Sequence, residues 1–350
     1  ILSCLYCGIA LDWNYTKGWV DTANISKNNS NDTTTHVLKK PQRTPYAPPP
    51  VIFGKASQNL PKPDDSSRLD EKGKEFIQKV VGSFLYYGRD VDMTILEALS
   101  KIAGQQNAPT ENTLKRVKLF LDYMATNPNA TIRYYASDMI LNCHSDASYL
   151  TAPKARSRAG GHFFLGSIPK DGHPIILNGA ILTLSTILKC VAASAAEAEL
   201  GALFLNALEV KILRLTLAEL GHPQPPTPIH TDNTTAVGIV NKTIKRKRSC
   251  AMNMRYFWLL CQEAQKILNA KYHPGQENLG DYQTKLHNAA HHSRIRPFYL
   301  HCNNSLRYLQ RAARPSARRG CVGTVSDIYK HRSPLPILRS RARALDIRAT

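Results

Sequence analysis

The chain has 350 residues, of which 43% are hydrophobic, so it can bury a sizeable core and form two domains or one domain with large appendages. Its 46 Lys and Arg outnumber its 26 Asp and Glu, and the formal net charge of +20 indicates a polyanionic partner, with nucleic acid as the first choice. It has no apolar stretch long enough to span a bilayer and no lipidation signal, so we expect no membrane partner.

The first residues, ILSCLYCGIALDW, are apolar but lack an initiator Met, a basic leader and a small-residue cleavage site. This pattern is typical of a fragment that begins within a fold, and we expect a protein that is not secreted. Of eight cysteines only Cys4 and Cys7 lie close together, without a second pair at zinc-finger spacing. Unpaired thiols suit the reducing cytoplasm or nucleus, which is the predicted location.

The N-terminal third of the chain changes from strand to linker to helix. Residues 1–23 alternate apolar and polar side chains and predict a strand pair around a turn at Thr16-Lys17-Gly18. Residues 24–68 are rich in Asn, Thr, Lys and Pro, including PQRTPYAPPP, which predicts a linker without a packed core. Apolar residues at three- and four-residue steps then predict helices over 73–87, 93–103 and 111–124, which would form a small helical subdomain.

After residue 127 the pattern becomes that of an α/β domain. TIRYYASDMILNCHSDAS, GGHFFLGS and PIILNGAILTLS are separated by turn signals and predict an antiparallel three-stranded meander. A helix over 195–220, ended by Gly221 and Pro223, is followed by the strand TPIHTD. Helices from about 234 and over 252–268, the strand LNAKYH and a helix over 278–286 complete a predicted mixed five-stranded sheet with helices against it.

Four acidic residues lie at suggestive points of this order. Asp146 ends the first strand, Glu199 is early in the long helix, Asp232 ends the fourth strand, and Asp281 opens the last helix. If the strands pair as predicted, Asp146 and Asp232 lie at corresponding ends of neighbouring strands, with the two helices bringing Glu199 and Asp281 over them. Four crowded carboxylates repel unless cations neutralise them, and two Mg²⁺ ions, or Mn²⁺ in their place, would also flank a scissile phosphate. The pattern predicts a hydrolytic nuclease site.

Each of these acids, taken alone, also fits a turn or a helix cap. Ser194 followed three residues later by Glu197 is the signature of a capping box, so we interpret Glu197 as part of the helix end. Glu199, two positions on, points to a different face of the helix and is the better ligand.

The motifs around the four acids carry a family resemblance. SDASYL, SAAEAELGAL, HTDNTTAVGIVN and ENLGDYQTKLH resemble, in sequence and order, the ribonuclease H domain of copia-type retrotransposon Pol polyproteins. The resemblance extends through KARSRAGGHFFLG, KRKRSCAMNMRYFW and HHSRIRPFYLH, and so covers residues 131–301. Upstream, FIQKVVGSFLYYGRDVDMTILEALSKIA and TLKRVKLFLDYMA resemble the segment that links the reverse-transcriptase thumb to ribonuclease H, and YCGIALDWNY resembles a strand just past the polymerase palm.

The resemblance implies a metal-dependent endoribonuclease that hydrolyses the RNA strand of an RNA/DNA hybrid, with the remainder of the polyprotein's reverse transcriptase as a partner. Asp146 would bridge two metal ions, Asp281 would complete one site, and Glu199 with Asp232 would complete the other. Such a domain reads A-form shape and 2′-hydroxyls. The family more often has Ala-Asp where Gly280-Asp281 stands, and an apolar residue at Gln283, which weakens the predicted helix start. The polymerase's Tyr-x-Asp-Asp hairpin is absent, so we expect no polymerase activity.

The resemblance also predicts the division of the chain. Residues 1–23 would be remnant strands after the palm, 24–68 a linker, and 69–127 a helical segment like the thumb or connection. Residues 128–301 would be the ribonuclease H-like domain, and 302–350 an Arg-rich tail that we expect to be poorly ordered.

Several basic residues and histidines also have possible functional roles. A positive run before the second-last helix would track phosphates along a hybrid, although a nuclear-localisation signal or a solvated loop fits it too; it comprises Lys242, Lys245, Arg246, Lys247 and Arg248. His273 would assist product release, as a loop histidine does in some ribonucleases H, or is an ordinary strand-end residue. His287, His291 and His292 have no partner cysteine at finger spacing, and we expect no zinc there.

Two other functions stay open from the sequence. One is a catalytically inactive retrotransposon remnant that only binds nucleic acid, in a salt-sensitive manner. The other is an integrase or transposase of the same general fold, but its acids come in the order Asp, Asp, Glu, whereas Glu199 here precedes Asp232.

Overall fold

The computed structural model describes residues 2–7, 9–24, 40–47, 64–167, 176–243 and 253–301. These residues form a small antiparallel sheet, a group of helices, and a larger mixed sheet with helices on it. No helix in these ranges is long and apolar enough to cross a bilayer.

The small sheet joins the N-terminal strands to a strand from much later in the chain. Strands β1 (Leu2–Tyr6), β2 (Ile9–Asn14), β3 (Trp19–Asn24) and β4 (Thr131–Tyr135) pair antiparallel in that order. The sequence predicted one continuous strand from 131 to 148, but the structure ends β4 at Tyr135. Met139, with φ 58°, redirects the chain before the next strand begins. The guanidinium of Arg133 on β4 donates two hydrogen bonds, of 2.6 and 2.5 Å, to the carboxylate of Asp21 on β3, and so ties the late strand to the early one.

The helical group lies close to its predicted position. It contains α1 (Glu71–Asp90), a 3-10 turn (Met93–Ile95), α2 (Leu96–Ala103) and α3 (Glu111–Thr126). The side chain of Asp70 caps α1 by accepting a hydrogen bond from the Gly73 amide at 2.8 Å. Ile77 and Phe120 are fully buried where these helices meet. The apolar residues whose three- and four-residue spacing predicted the helices are therefore the ones that pack in this core.

Part of the Pro-rich stretch predicted as a linker packs into this core. Tyr46 is buried, and its hydroxyl accepts a hydrogen bond from the His287 amide at 3.0 Å. Composition favoured an unpacked segment here, but one aromatic ring with a hydrogen-bonded hydroxyl is enough to anchor a short stretch.

The large sheet is the mixed five-stranded sheet that the sequence predicted. Its strands are β5 (Ile140–Ala152), β6 (Arg156–Gly166), β7 (Ala180–Ile187), β8 (Thr227–Thr231) and β9 (Leu268–Tyr272), in the order β7-β6-β5-β8-β9. Strands β5, β6 and β7 form the antiparallel meander, whereas β8 runs parallel to β5 and to β9. Strand β8 ends at Thr231, one residue past its pairing of His230 with His144, whereas β5 continues to Ala152. Asp146, which was predicted to end the strand, therefore lies in the middle of β5, because the strand continues as a hairpin with β6.

Helices cover both faces of this sheet. Leu141, Phe163 and Leu203 belong to one apolar cluster with residues of α4 (Ala195–Glu219), α5 (Thr234–Val240) and α6 (Asn253–Ala264). On the other side, Leu279 and Tyr299 join the core of the helical group. The sheet is thus a buried layer with helices on each side, as α/β folds require.

The helix predicted over 278–286 is wrong. The chain there makes a 3-10 turn (Asp281–Gln283), and the helix comes later as α7 (Ala289–Tyr299). Asn278 donates a hydrogen bond to the Ser145 carbonyl at 2.8 Å, so the start of this stretch is fixed against β5. Asn288 caps α7 by accepting a hydrogen bond from the His291 amide at 2.8 Å.

Candidate functional site

Asp146 lies on the central strand β5, where the 280–284 segment crosses it. The carboxylate is buried, and its Oδ2 accepts a hydrogen bond from the Thr284 hydroxyl at 2.5 Å. Gly280 passes so near that a Cβ on it would lie 2.9 Å from the Asp146 amide nitrogen. Gly160, opposite Asp146 on β6, has the same role, since its Cβ would lie 2.5 Å from the Gly280 carbonyl oxygen. The glycine at 280 thus permits close packing on β5, whereas the sequence predicted only a weakened helix start.

Glu199 reaches the same place from the first turns of α4. Ser194 caps this helix by accepting a hydrogen bond from the Glu197 amide at 3.2 Å, and Glu197 itself accepts one from the Ala193 amide. The Glu199 carboxylate is buried and accepts hydrogen bonds from the Ala147 amide and the Thr231 hydroxyl, each at 3.2 Å. These two bonds hold it between the middle of β5 and the end of β8.

Asp232 follows β8 directly and completes a group of three carboxylates. One oxygen from each of Asp146, Glu199 and Asp232 lies within 4.8 Å of the others. Carboxylate oxygens are the ligands that hard divalent cations prefer, so the donor chemistry fits Mg²⁺ or Mn²⁺. The structure therefore brings three of the four predicted acids to one point.

The electrostatics of this group also favour a cation. Burial raises the pKa of Asp146 to about 7, and the charges of Asp281 and Asp232 add to the rise while Lys285 and Thr284 oppose it. Burial raises the pKa of Glu199 to about 9, and the charges of Asp146 and Asp232 add to this rise. Both shifts have one physical meaning: negative charge here is unfavourable until a positive charge shares the space.

Asp281, the fourth predicted acid, lies beside the group and is paired with a cation of the chain. It begins the 3-10 turn, and its Oδ1 is bonded to the ammonium of Lys285. The same ammonium lies 3.7 Å from Oδ2 of Asp146. Lys285 therefore connects Asp281 with the buried group.

The remaining predicted residues are elsewhere or outside the described ranges. His273 follows β9, where its ring lies 4.9 Å from that of His144 and 5.4 Å from that of His230, centroid to centroid. Burial lowers the pKa of His273, which favours its neutral form. Lys242 is exposed, with φ 59°, at the end of α5. The other members of the predicted basic run lie outside the described residues: Lys245, Arg246, Lys247 and Arg248.

Sequence reasoning missed two residues that contact the acids. Thr284 and Lys285 both reach Asp146, although neither was singled out. One signal was present, because Asp281 and Lys285 are four residues apart, the spacing of an ion pair on one turn. The hydroxyl of Thr284 gave no comparable signal.

Comparison with known proteins gives one curated relative. The chain is 26% identical, over 224 residues, to the retrovirus-related Pol polyprotein from transposon TNT 1-94 of Nicotiana tabacum. The match covers 62% of this chain but only 16% of the relative's length. No protein-family model matches the chain.

Solved structures with related topology include ribonucleases H. LC11-RNase H1, isolated from compost by a metagenomic approach, has 11% identity and a TM-score of 0.31, covering 42% of this chain and 93% of its own. The same protein in complex with RNA/DNA hybrid has 12% identity and a TM-score of 0.31, with coverages of 41% and 93%. The prototype foamy virus protease-reverse transcriptase has 13% identity and a TM-score of 0.25, with coverages of 41% and 20%.

The sheet order β7-β6-β5-β8-β9, with its antiparallel meander and two parallel pairs, is the ribonuclease H-like α/β arrangement that the motifs implied. The curated match independently supports the resemblance on which that expectation was based. The chain is therefore similar to a segment of a copia-type retrotransposon Pol polyprotein, with a ribonuclease H-like domain built on its larger sheet.

Proposed function

We propose that this chain carries a ribonuclease H-type endoribonuclease, which hydrolyses the RNA strand of RNA/DNA hybrids by two-metal catalysis. The observation that carries the proposal is the convergence of the Asp146, Glu199 and Asp232 carboxylates within 4.8 Å. They come from three separate elements, and nothing but the fold brings them together. Buried like charges of this kind are costly and cluster at functional sites.

The acidic residues would bind the metal ions, and their neighbours would orient them. Asp146, Glu199 and Asp232 would hold one divalent cation, and Asp146 with Asp281 would hold a second. Bound there, the cations supply an activated water for attack on phosphorus and stabilisation of the leaving 3′-oxygen. The chain's own part is to orient the ligands: Thr284 fixes one oxygen of Asp146, while Ala147 and Thr231 fix both oxygens of Glu199. Because Asp146 and Glu199 are buried, their oxygens are shielded from bulk water and would be available to a cation.

Charge supports the choice of substrate. A formal net charge of +20 favours a polyanion, and phosphate contacts by Lys and Arg supply affinity without reading base sequence. The basic run that begins at Lys242 would lie along the hybrid. We propose that the remainder of the polyprotein's reverse transcriptase delivers this substrate, and that the protein works in the cytoplasm or nucleus.

The test is cleavage of a hybrid labelled on both strands, beside duplex DNA and single-stranded RNA. We expect Mg²⁺-dependent cutting of the RNA strand in the hybrid alone, lost with chelator and with Asp146→Asn. Asp138→Asn, an exposed residue just before the same strand, is the matched control and should cut like the parent. If the folded chain binds hybrid in a salt-sensitive way but leaves both strands intact, the inactive binding remnant is the better description.

A further inference from the structure

One lysine occupies the place between two of the four acids. The ammonium of Lys285 is bonded to Oδ1 of Asp281 and lies 3.7 Å from Oδ2 of Asp146. It is thus shared by the pair of carboxylates that would hold the second cation of the proposed reaction.

The local fold places this lysine there. The Thr284 amide donates to the Asp281 carbonyl at 3.2 Å, and the Thr284 hydroxyl donates to Asp146 at 2.5 Å, with the Asp281 carbonyl oxygen 2.9 Å from the same hydroxyl. The next residue, Lys285, consequently starts from a backbone that is fixed against β5. From this position its side chain reaches both Asp281 and Asp146.

The positive charge of Lys285 is distributed unevenly over the acids. Its ammonium pairs with the carboxylates of Asp281 and Asp146. Among the described residues, no other cation forms an ion pair with Asp146, and none pairs with Glu199 or Asp232. The negative charge of Asp146 and Asp281 is therefore partly neutralised by Lys285, whereas that of Glu199 and Asp232 is not.

We propose that Lys285 is a built-in cation between Asp146 and Asp281, so that one divalent ion binds strongly at Asp146, Glu199 and Asp232 while a second must displace the lysine. This inference rests on the proposed function, since it assumes that these acids bind metal. The Lys285 side chain is 44% exposed and has a flexible four-carbon stem, so it can leave toward solvent when the second ion enters. Metal binding is then sequential, and the second step is the weaker one.

The experiment counts bound Mn²⁺ directly, by the loss of the free-ion electron paramagnetic resonance signal during titration of the full chain. We expect the parent to bind one ion tightly and a second one weakly. Lys285→Met should bind the second ion at least roughly tenfold more tightly, a change of about 1.4 kcal/mol. Lys285→Arg, which keeps the charge, should behave like the parent, and so should Lys115→Met on the exposed face of α3.

The outcomes separate the two proposals. If the parent and Lys285→Met bind the second ion with equal affinity, the inference about Lys285 is overturned while the metal site stands. If no variant binds any Mn²⁺, the proposed function fails and the inference fails with it. Circular dichroism checks that Lys285→Met is folded; should it not be, Lys285→Gln, which keeps most of the stem, replaces it under the same expectation.

Discussion

Replacing Glu199 with Gln should make the metal-free chain more stable. Glu199 is 6% exposed, and burial together with the charges of Asp146 and Asp232 raises its pKa from 4.5 to about 9. The folded state therefore holds a proton that the unfolded chain releases above pH 4.5, so stability falls as the pH rises through this window. At pH 7 the accumulated loss is roughly 3 kcal/mol, taking 1.36 kcal/mol for each pH unit. Gln is neutral and nearly the same shape, so it avoids this loss.

The assay is urea unfolding in the presence of a chelator, repeated between pH 5 and pH 8. The advantage of Glu199→Gln should be small at pH 5 and grow with pH to about 1–3 kcal/mol, the lower figure allowing for relaxation of the buried site. With saturating Mg²⁺ the parent should recover, because ion binding to the folded state alone adds stability that the variant cannot gain fully. Glu209→Gln, half-buried on the same helix but outside the group, is the matched control for the substitution itself. A variant no more stable than the parent in chelator at every pH would refute the reasoning.

Three further predictions concern the packing of the fold and the pH dependence of its stability. Gly160→Ala should cost about 1–3 kcal/mol in urea unfolding, because its Cβ would lie 2.5 Å from the carbonyl oxygen of Gly280, and an unchanged midpoint would contradict the contact. Arg296→Met should cost about 3 kcal/mol or more, because Asp92 is fully buried and would lose the guanidinium that bonds it at 3.0 Å; loss of under half that amount would show that the pair does not join α7 to the helical group. The metal-free parent should be most stable near a pH of about 6.5: below it, several buried histidines with lowered pKa values stay neutral while unfolded ones take up protons, which outweighs the opposite effect of the two buried carboxylates, and above it only the carboxylates act. A flat pH profile in thermal unfolding would count against these shifts.

Local sequence patterns predicted the strands of the large sheet and the placement of Glu199 in α4 and of Asp232 after β8. Alternating and apolar runs predicted β5, β6 and β7, and the cap at Ser194 with the stop at Gly221 bounded α4 closely. The parallel pairing of β8 with β5 places Asp232, just after the end of β8, near Asp146, which lies within β5 and not at its predicted end. Their catalytic role stays a prediction that the cleavage test decides.

Contacts between distant parts of the chain could not be predicted in the same way. The pairing of β4 with β3 joins residues 112 positions apart, such as Arg133 and Asp21, whose side chains form an ion pair. The 3-10 turn at Asp281 arises because β5 holds the chain through Asn278, whereas the residues alone resemble a helix start. The contact of Lys285 with Asp146 depends on that turn, so local sequence patterns could not predict it either.

The most direct test of the account is the chemical nature of the ends left on the cut RNA. Attack of a metal-activated water on phosphorus, with departure of the 3′-oxygen, predicts fragments with 5′-phosphate and 3′-hydroxyl ends. In water enriched with ¹⁸O, mass spectrometry should find one heavy oxygen on each new 5′-phosphate, and none of these fragments with Asp232→Asn. Fragments ending in 2′,3′-cyclic phosphate would show attack by the RNA's own 2′-hydroxyl and would contradict the carboxylate-metal mechanism.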